Sequence, residues 1–281
     1  MAKLGTVWER AAEFAGERIG GLAPIALGTI ALPTVLSGGL PLLMLAGGPG
    51  LHVAAMVVTL LLSLVSLWGS LVVTAWAIDP ESRAAAAALA RRRLLAVLLV
   101  SIGVGAVAAL VFLPIPIFLG FRGYDLAQIF VGGPAQVTIG TRPTIDPQSS
   151  GTIGLYLLLL VPIMATAFVR LILLGPVVLR EGLLFGAVRR SWVLTRRHGW
   201  RLFGTLLLFF VIASIAQLAA QTVFGSVFAL LLGVGPAGTL TLAFGLTLLV
   251  QAIVQTVIVV LLAAFQGKLY AALSAEAAPT A

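Results

Sequence analysis

The sequence predicts an all-α membrane protein, a polytopic bundle of six transmembrane helices, on three observations. The 281 residues are 60% hydrophobic and only 9% charged, whereas an ordinary soluble domain carries about 25% charged residues. The apolar residues form six long runs, and the basic residues gather at alternate ends of those runs. These features exclude a soluble enzyme, a disordered chain and a fibrous protein. We expect one integral membrane domain over residues 1–281.

Six runs of sequence are long enough to span a bilayer, which takes about 20 mainly apolar residues. Several prolines fall within these runs, and membrane helices tolerate them because neighbouring groups satisfy the freed backbone atoms. Pro114 and Pro116 are expected to kink or end the third span. The predicted spans are Gly21–Ala46, Leu51–Ile78, Leu94–Leu119, Thr152–Leu179, Leu202–Leu232 and Ala237–Phe265.

The distribution of basic residues predicts the orientation. With the N-terminus inside, fourteen Lys and Arg residues flank the spans on the inner side, and only Arg122 and Arg142 lie outside. This positive-inside bias predicts that both termini are cytoplasmic. It also explains the net charge of +8, so no nucleic-acid partner is expected. Arg outnumbers Lys by fifteen to two, a composition typical of a GC-rich bacterial genome, which points to a bacterial inner membrane.

Charged segments precede the first, third and fifth spans and indicate amphipathic helices on the cytoplasmic surface, at about residues 3–18, 80–93 and 181–201. In the second segment Asp79 is the expected N-cap and Pro80 the first helical residue. The chain then consists of three units, each an interfacial helix followed by a hairpin, which suggests a threefold repeat. The alternative is that positive-inside flanks give any chain of hairpins this periodicity.

The third segment separates its apolar and basic residues most clearly. Leu184, Phe185, Val188 and Trp192 fall on one helical face, and the basic residues fall on the adjoining face. Such a helix lies in the membrane plane, and each basic residue near an anionic leaflet adds about 1 kcal/mol of binding. An ordinary positive-inside anchor is the alternative interpretation. The candidate residues for binding anionic lipid head groups are Arg189, Arg190, Arg196, Arg197 and Arg201.

Polar residues within the spans form a second group of candidates. Arg170 precedes Arg180 by ten residues, or about 15 Å of continuous helix, so it should face the bundle interior or reach the cytoplasmic interface. Two pairs of glutamines, each with a spacing of four residues, should hydrogen-bond across the last hairpin. These residues either pack the bundle or line a path for a solute. The glutamines are Gln217, Gln221, Gln251 and Gln255.

No pattern for catalysis is present in the sequence. There is no cysteine, and His52 and His198 belong to opposite sides of the predicted bilayer, so they cannot share a metal. Nucleotide-binding, zinc-protease and serine-hydrolase motifs are missing, and the acidic residues are scattered. The outer loop, at about residues 120–151, is too short for a catalytic domain and should cap the bundle. We expect no enzymatic activity, no metal and no cofactor.

A resemblance to a known family is carried by the stretch from Arg170 to Arg201. It contains the intramembrane Arg170, then Pro176 and Glu181, and then a Ser-Trp-x-Leu-Thr segment that begins at Ser191 and is followed by basic and aromatic residues. This stretch resembles the bacterial multi-pass family called the glycerophosphoryl diester phosphodiesterase membrane domain, and its YciC-like relatives. The resemblance implies an integral membrane module and not a hydrolase, because the metal ligands of the soluble phosphodiesterase domain are missing.

The sequence therefore favours a non-catalytic membrane module. Its cytoplasmic face would engage anionic lipid head groups, a partner protein or a second copy of the chain. The alternative is a transporter of a small solute or a lipid, with a path lined by Arg170 and the glutamines.

Overall fold

The computed structural model describes residues 4–46, 49–124, 146–184, 186–196, 198–233 and 241–277, and every regular element within these ranges is helical. The helices are α1 (Leu4–Glu17), α2 (Ile19–Ala26), α3 (Leu32–Ala46), α4 (Pro49–Ile78), α5 (Arg83–Phe112), α6 (Pro114–Phe121), α7 (Pro147–Leu171), α8 (Leu174–Glu181), α9 (Gly186–Thr195), α10 (Gly199–Ala219), α11 (Gly225–Leu232) and α12 (Leu242–Ala277). Short π-helical turns at Leu27–Ala31 and Ala220–Phe224 join α2 to α3 and α10 to α11.

The prediction of six membrane-spanning segments in an all-α bundle is confirmed. Within the described ranges, six helical stretches are long and apolar enough to cross a bilayer, and each overlaps one predicted span. They are Ile19–Pro41, Gly50–Ile78, Arg83–Phe121, Pro147–Glu181, Gly199–Leu232 and Leu242–Ala277. The third span is interrupted where expected, because α5 ends at Phe112 and α6 begins at Pro114. Proline suits this position because the first helical residue needs no N–H donor.

The chain divides into two compact units, a division that the sequence analysis does not predict. The first unit contains residues 1–97 and 169–281, and the second contains residues 98–168. In the first unit α12 packs along α4, and α1 packs against α12. Helix α1 buries Val7, Ala11 and Phe14, and its Trp8 ring lies 5.5 Å from the Phe209 ring and 5.7 Å from the Phe265 ring.

The segment at residues 80–93 is not a separate helix. It forms the first turns of α5, which begins at Arg83 and continues through the third span. The prediction of an Asp79 N-cap is wrong, since the Asp79 N–H donates to the Ala75 carbonyl at 3.1 Å and so completes the last turn of α4. The side chain of Ser82 takes the capping role and accepts a hydrogen bond from the Ala85 N–H at 3.3 Å.

The segment at residues 181–201 is not one helix either. Helix α8 ends at Glu181, α9 covers only Gly186–Thr195, and α10 already begins at Gly199. The three predicted repeat units therefore differ in how the charged segment joins its span. The first segment joins through a turn at Arg18, the second is continuous with its span in α5, and the third includes the separate helix α9.

In the second unit, Asp146 caps the start of α7. Its carboxylate accepts the Ser149 N–H at 3.2 Å and the Tyr124 hydroxyl, and Pro147 occupies the first helical position. Hydrogen bonding from Ser149 and Tyr124 lowers the pKa of the Asp146 carboxyl from 3.8 to about 2. The Tyr156 hydroxyl donates to the Val111 carbonyl within the same unit. The predicted outer loop lies largely outside the described residues, which resume at Asp146.

Candidate anion-binding site at the basic end

One end of the first unit collects basic residues from three regions that are far apart in the sequence, at residue 18, residue 93 and residues 170–190. We call it the basic end and define it by Arg18, Arg93, Arg170, Arg180 and Arg190. The Arg18 guanidinium donates to the Pro80 carbonyl at 2.6 Å, and its Cζ atom lies 5.5 Å from the centre of the Trp76 ring. The turn before α2 is thereby joined to the turn after α4.

Two ion pairs connect α8 to its neighbours at this end. Arg180 Nη2 lies 3.6 Å from Asp79 Oδ2, and both side chains are half exposed. Glu181 Oε1 accepts hydrogen bonds from Arg190 Nε at 3.2 Å and from the Tyr270 hydroxyl at 3.1 Å. Exposed ion pairs contribute about 0–1 kcal/mol each to the free energy of unfolding. These contacts therefore position α8, α9 and α12 relative to one another more than they stabilise the fold.

Gly182 ends α8 in the left-handed conformation, with φ of +69°, and its N–H donates to the Val178 carbonyl. Glycine adopts this conformation without the steric cost that a Cβ atom imposes. The Arg93 guanidinium packs over Gly182, so that a methyl group added there would lie 2.7 Å from Arg93 Nη1. Arg93 of α5 is thereby placed against the tip of the α8–α9 hairpin.

Arg170 does not lie ten residues deeper than Arg180 on one helix, because the helix breaks between them. Helix α7 ends at Leu171 and α8 starts at Leu174. Arg170 lies beside the start of α10, since its Nη2 atom is 4.0 Å from a methyl group placed on Gly199. The prediction that Arg170 and Arg180 lie about 15 Å apart on one uninterrupted helix is therefore wrong, although both residues belong to the fourth membrane-spanning stretch, Pro147–Glu181.

The break in the helix exposes the Arg170 carbonyl, which α9 then satisfies. A helix leaves its last four carbonyls without intrahelical partners. The Ser191 hydroxyl donates to the Arg170 carbonyl at 2.6 Å, and the Thr195 hydroxyl lies 3.4 Å from the same oxygen. Both side chains are fully buried. The Thr195 hydroxyl lies closer to the Ser191 carbonyl of its own helix, at 2.8 Å, so Ser191 is the residue that fastens α9 to the end of α7.

The Arg170 side chain lies over Trp192 of α9. Its Cζ atom is 4.5 Å from the centre of the Trp192 ring, a cation–π contact. Its Nη1 atom is buried and has no hydrogen-bond acceptor within the described part of the chain. The aromatic ring thus supports the guanidinium, and the protein leaves one of its donors unused.

His198 lies close to this arrangement, directly before α10. Its Nε2 atom is 3.9 Å from Glu276 Oε2, near the end of α12. Its Nδ1 atom is buried without a partner among the described residues. Arg170, the start of α10 and the end of α12 therefore meet at one place on the basic end.

The structure separates the five predicted head-group residues. Arg189, Arg196 and Arg201 are exposed, and within the described ranges their side chains form no ion pair or hydrogen bond. Arg190 is engaged by Glu181, and Arg197 lies outside the described residues. Large apolar side chains surround the free guanidinium groups: Trp192 is 44% exposed, Val193 56% and Trp200 86%.

The four glutamines are not joined across the last hairpin. Gln217 lies in α10 with its Oε1 atom buried and unpartnered, and Gln221 is exposed in the π-helical turn that follows. Gln251 and Gln255 are half-buried on α12. No hydrogen bond between the two pairs occurs in the described part of the chain.

The roles of Ser191, Thr195 and Tyr270 were not predicted from the sequence. The available signal was the presence of Ser191 within the basic segment, because a hydroxyl there can donate to a carbonyl that the end of another helix leaves without a partner. The contact of Tyr270 with Glu181 joins residues 89 positions apart, and no local pattern reveals it.

Each of the two units contains a cleft of similar volume. One cleft of about 160 Å³ lies in the first unit between Asp79, Ser82, Leu89 and Arg180. Another of about 160 Å³ lies in the second unit between Pro114, Phe118 and Tyr156, among other residues. Among the described residues, no group of three His, Asp or Glu side chains is placed to hold a metal ion.

Comparisons with known proteins give no relative. No protein-family model, curated protein or solved structure matches the chain. The resemblance to the phosphodiesterase membrane domain stays a prediction from the residues between Arg170 and Arg201. The chain is a six-span helical membrane protein.

Proposed function

We propose that the chain is a non-catalytic membrane module whose surface around α9 binds anionic lipid head groups at the cytoplasmic face of a bacterial inner membrane. The observation that carries the proposal is the surface around α9. Exposed Trp192, Val193 and Trp200 lie close in sequence to the exposed Arg189 and Arg196, whose guanidinium groups form no ion pair or hydrogen bond with the described residues. A protein surface that combines exposed apolar and free basic side chains is suited to the boundary between head groups and acyl chains.

The orientation belongs to the same proposal. Both termini are placed in the cytoplasm because fourteen basic residues flank the spans on that side and two on the other. Reporter fusions after Lys3, Pro134 and Glu276 should report inside, outside and inside. An external C-terminus would place the basic end on the wrong leaflet and would overturn both the orientation and the lipid proposal.

Lipid binding is tested with a triple variant, Arg189→Gln/Arg196→Gln/Arg201→Gln. The purified proteins are reconstituted in vesicles that contain phosphatidylglycerol and phosphatidylcholine, and their enrichment of each lipid is measured. The wild type should enrich phosphatidylglycerol, and the triple variant should lose most of this enrichment because about 1 kcal/mol per basic residue is removed. Equal enrichment by both proteins would contradict the proposal.

The matched control is Arg180→Gln together with Arg190→Gln, which removes charges that Asp79 and Glu181 already neutralise. This control should change the enrichment of phosphatidylglycerol less than the triple variant does. If it has the same effect per charge, net charge alone determines lipid enrichment, and the surface around α9 has no special role.

A transporter for a small solute or a lipid is the second candidate. Gln217, whose buried Oε1 atom has no partner among the described residues, lies three residues before the π-helical turn Ala220–Phe224, which contains Gln221. Such turns are frequent at functional sites. Uptake or flipping measured in vesicles, compared between the wild type and Gln217→Leu, tests this candidate; an unchanged rate would remove its support.

A further inference from the structure

We infer that Arg170 and Trp192 form a discrete binding site for one phosphate group. This inference rests on the proposed function and narrows it from a basic surface to a single built site. The phosphodiester of a lipid head group and free inorganic phosphate present the same oxyanion. The ligand class is therefore a phosphate with at least one negative charge, and the experiment distinguishes its two sources.

The cation–π contact with Trp192 does not satisfy the hydrogen-bond donors of Arg170. The guanidinium is planar, with all five N–H donors at its edges. Its Cζ atom lies 4.5 Å from the centre of the Trp192 ring, and the indole offers no hydrogen-bond acceptor to these donors. The edge of a guanidinium matches two oxygens of one phosphate, which is why arginine binds phosphates in a bidentate manner.

The Nη1 atom indicates that an acceptor belongs at this edge. It is shielded from solvent and has no acceptor among the described residues. A buried donor without an acceptor destabilises a protein, and more so when it is charged. A phosphate oxygen supplied by a ligand removes this cost. Arg180 and Arg190 of the basic end differ from Arg170, because they already contact the carboxylates of Asp79 and Glu181.

The backbone beneath this side chain is fixed. Ser191 donates to the Arg170 carbonyl at 2.6 Å from a fully buried position, so the residue that binds and the helix that supplies Trp192 are fastened together. The start of α10 lies next to the guanidinium, with Nη2 4.0 Å from a methyl group placed on Gly199. The first N–H groups of a helix have no intrahelical acceptor, and here they border the same place. Trp192 is 44% exposed, so a lipid can approach from the membrane side.

The experiment measures lipid retention by the full-length protein with native mass spectrometry. The probes are phosphatidylglycerol and diacylglycerol with the same acyl chains, so that only the phosphoglycerol head group differs. The variants are Arg170→Gln and Arg170→Lys, and Arg180→Gln is the matched control for loss of one charge at the same end. Helix content and thermal unfolding are recorded for each protein.

The wild type should retain phosphatidylglycerol in preference to diacylglycerol, and Arg170→Gln should weaken this retention by about tenfold or more, the loss of a hydrogen bond to a charged group. Arg180→Gln should retain the lipid as the wild type does. Arg170→Lys keeps the charge and loses the planar edge, so its lipid retention should lie between those of the wild type and Arg170→Gln. If Arg170→Gln does not fold, the comparison of Arg170→Lys with the wild type tests the inference. Retention by Arg170→Lys equal to that of the wild type would overturn the inference.

The other outcomes are equally decisive. Equal loss in Arg170→Gln and Arg180→Gln, or no loss in either, would overturn the discrete site and leave the proposed lipid surface intact, since the triple variant tests that surface separately. Competition by millimolar inorganic phosphate would identify free phosphate as a ligand of the site. Retention that resists such competition would identify the lipid as the source. Failure to bind either probe would overturn the inference.

Discussion

The packing of α12 against α4 depends on Gly267, and the substitution Gly267→Ala tests this packing directly. A methyl group at this position would lie 2.7 Å from the Thr74 carbonyl oxygen, 2.8 Å from the Ala77 Cβ atom and 3.3 Å from the Ile78 N atom. Two of these three atoms belong to the backbone of α4, so they cannot rotate away. The two helices would have to separate by several tenths of an ångström.

The size of the effect follows from two opposing contributions. Overpacking a close contact costs about 1–3 kcal/mol, and replacing glycine by alanine within a helix gains about 1 kcal/mol. Gly245 lies on the same helix, and a methyl group placed there would meet no atom within 4 Å. Gly245→Ala therefore provides the helix gain without the clash. The difference in stability between the two variants should be about 1–3 kcal/mol in favour of Gly245→Ala.

The assay is reversible unfolding from a mild detergent into sodium dodecyl sulfate, followed by tryptophan fluorescence. Because both variants replace glycine by alanine in α12, the difference between them isolates the contact with α4. If Gly267→Ala is as stable as Gly245→Ala, the close approach of the two helices is refuted.

Three further predictions concern other parts of the chain. Ser191→Ala should lower stability by about 1 kcal/mol, the usual contribution of one hydrogen bond. Thr195→Val should cost less, because the Thr195 hydroxyl donates at 2.8 Å to the Ser191 carbonyl of its own helix, a shorter contact than its 3.4 Å to the Arg170 carbonyl of α7; an equal loss in both variants, measured by unfolding, would contradict this. Gly182→Ala should cost about 1–2 kcal/mol for its left-handed backbone, and an unchanged denaturation midpoint would contradict this. The lowered pKa of Asp146 stabilises the start of α7 above pH 3.8, and this contribution should be lost as the pH falls from 3.8 to about 2; amide exchange at Ser149 should show this loss in the wild type and not in Asp146→Asn.

Local properties of the sequence were sufficient to predict the spans. A run of about 20 apolar residues can satisfy its backbone only as a helix in a bilayer, and all six runs appear as helices. The break at Pro114 was also predicted from local sequence, because proline lacks the N–H group that a continuing helix needs. The division into two compact units was not predicted, since it depends on contacts between segments that are far apart in the sequence.

The helix N-caps could not be predicted from local sequence alone. The Asp-Pro pattern was assigned to Asp79 and Pro80, yet it caps a helix at Asp146 and Pro147. At the first position the Asp79 carboxylate pairs with Arg180, and the Pro80 carbonyl accepts a hydrogen bond from Arg18. Both groups are taken by residues about 60 to 100 positions away, and Ser82 caps α5 in their place.

The sequence by itself determined that this chain crosses a membrane six times and where its positive charge gathers, because both follow from hydrophobicity and charge summed over neighbouring residues. Only the tertiary structure decided which of these charges are free. Arg190 is neutralised by Glu181, Arg189 and Arg196 are exposed, and Arg170 rests on Trp192 with a buried donor unused. The helix break at residues 172–173 lets α9 fold back onto the end of α7, and side chains that are 22 residues apart in the sequence then lie in contact.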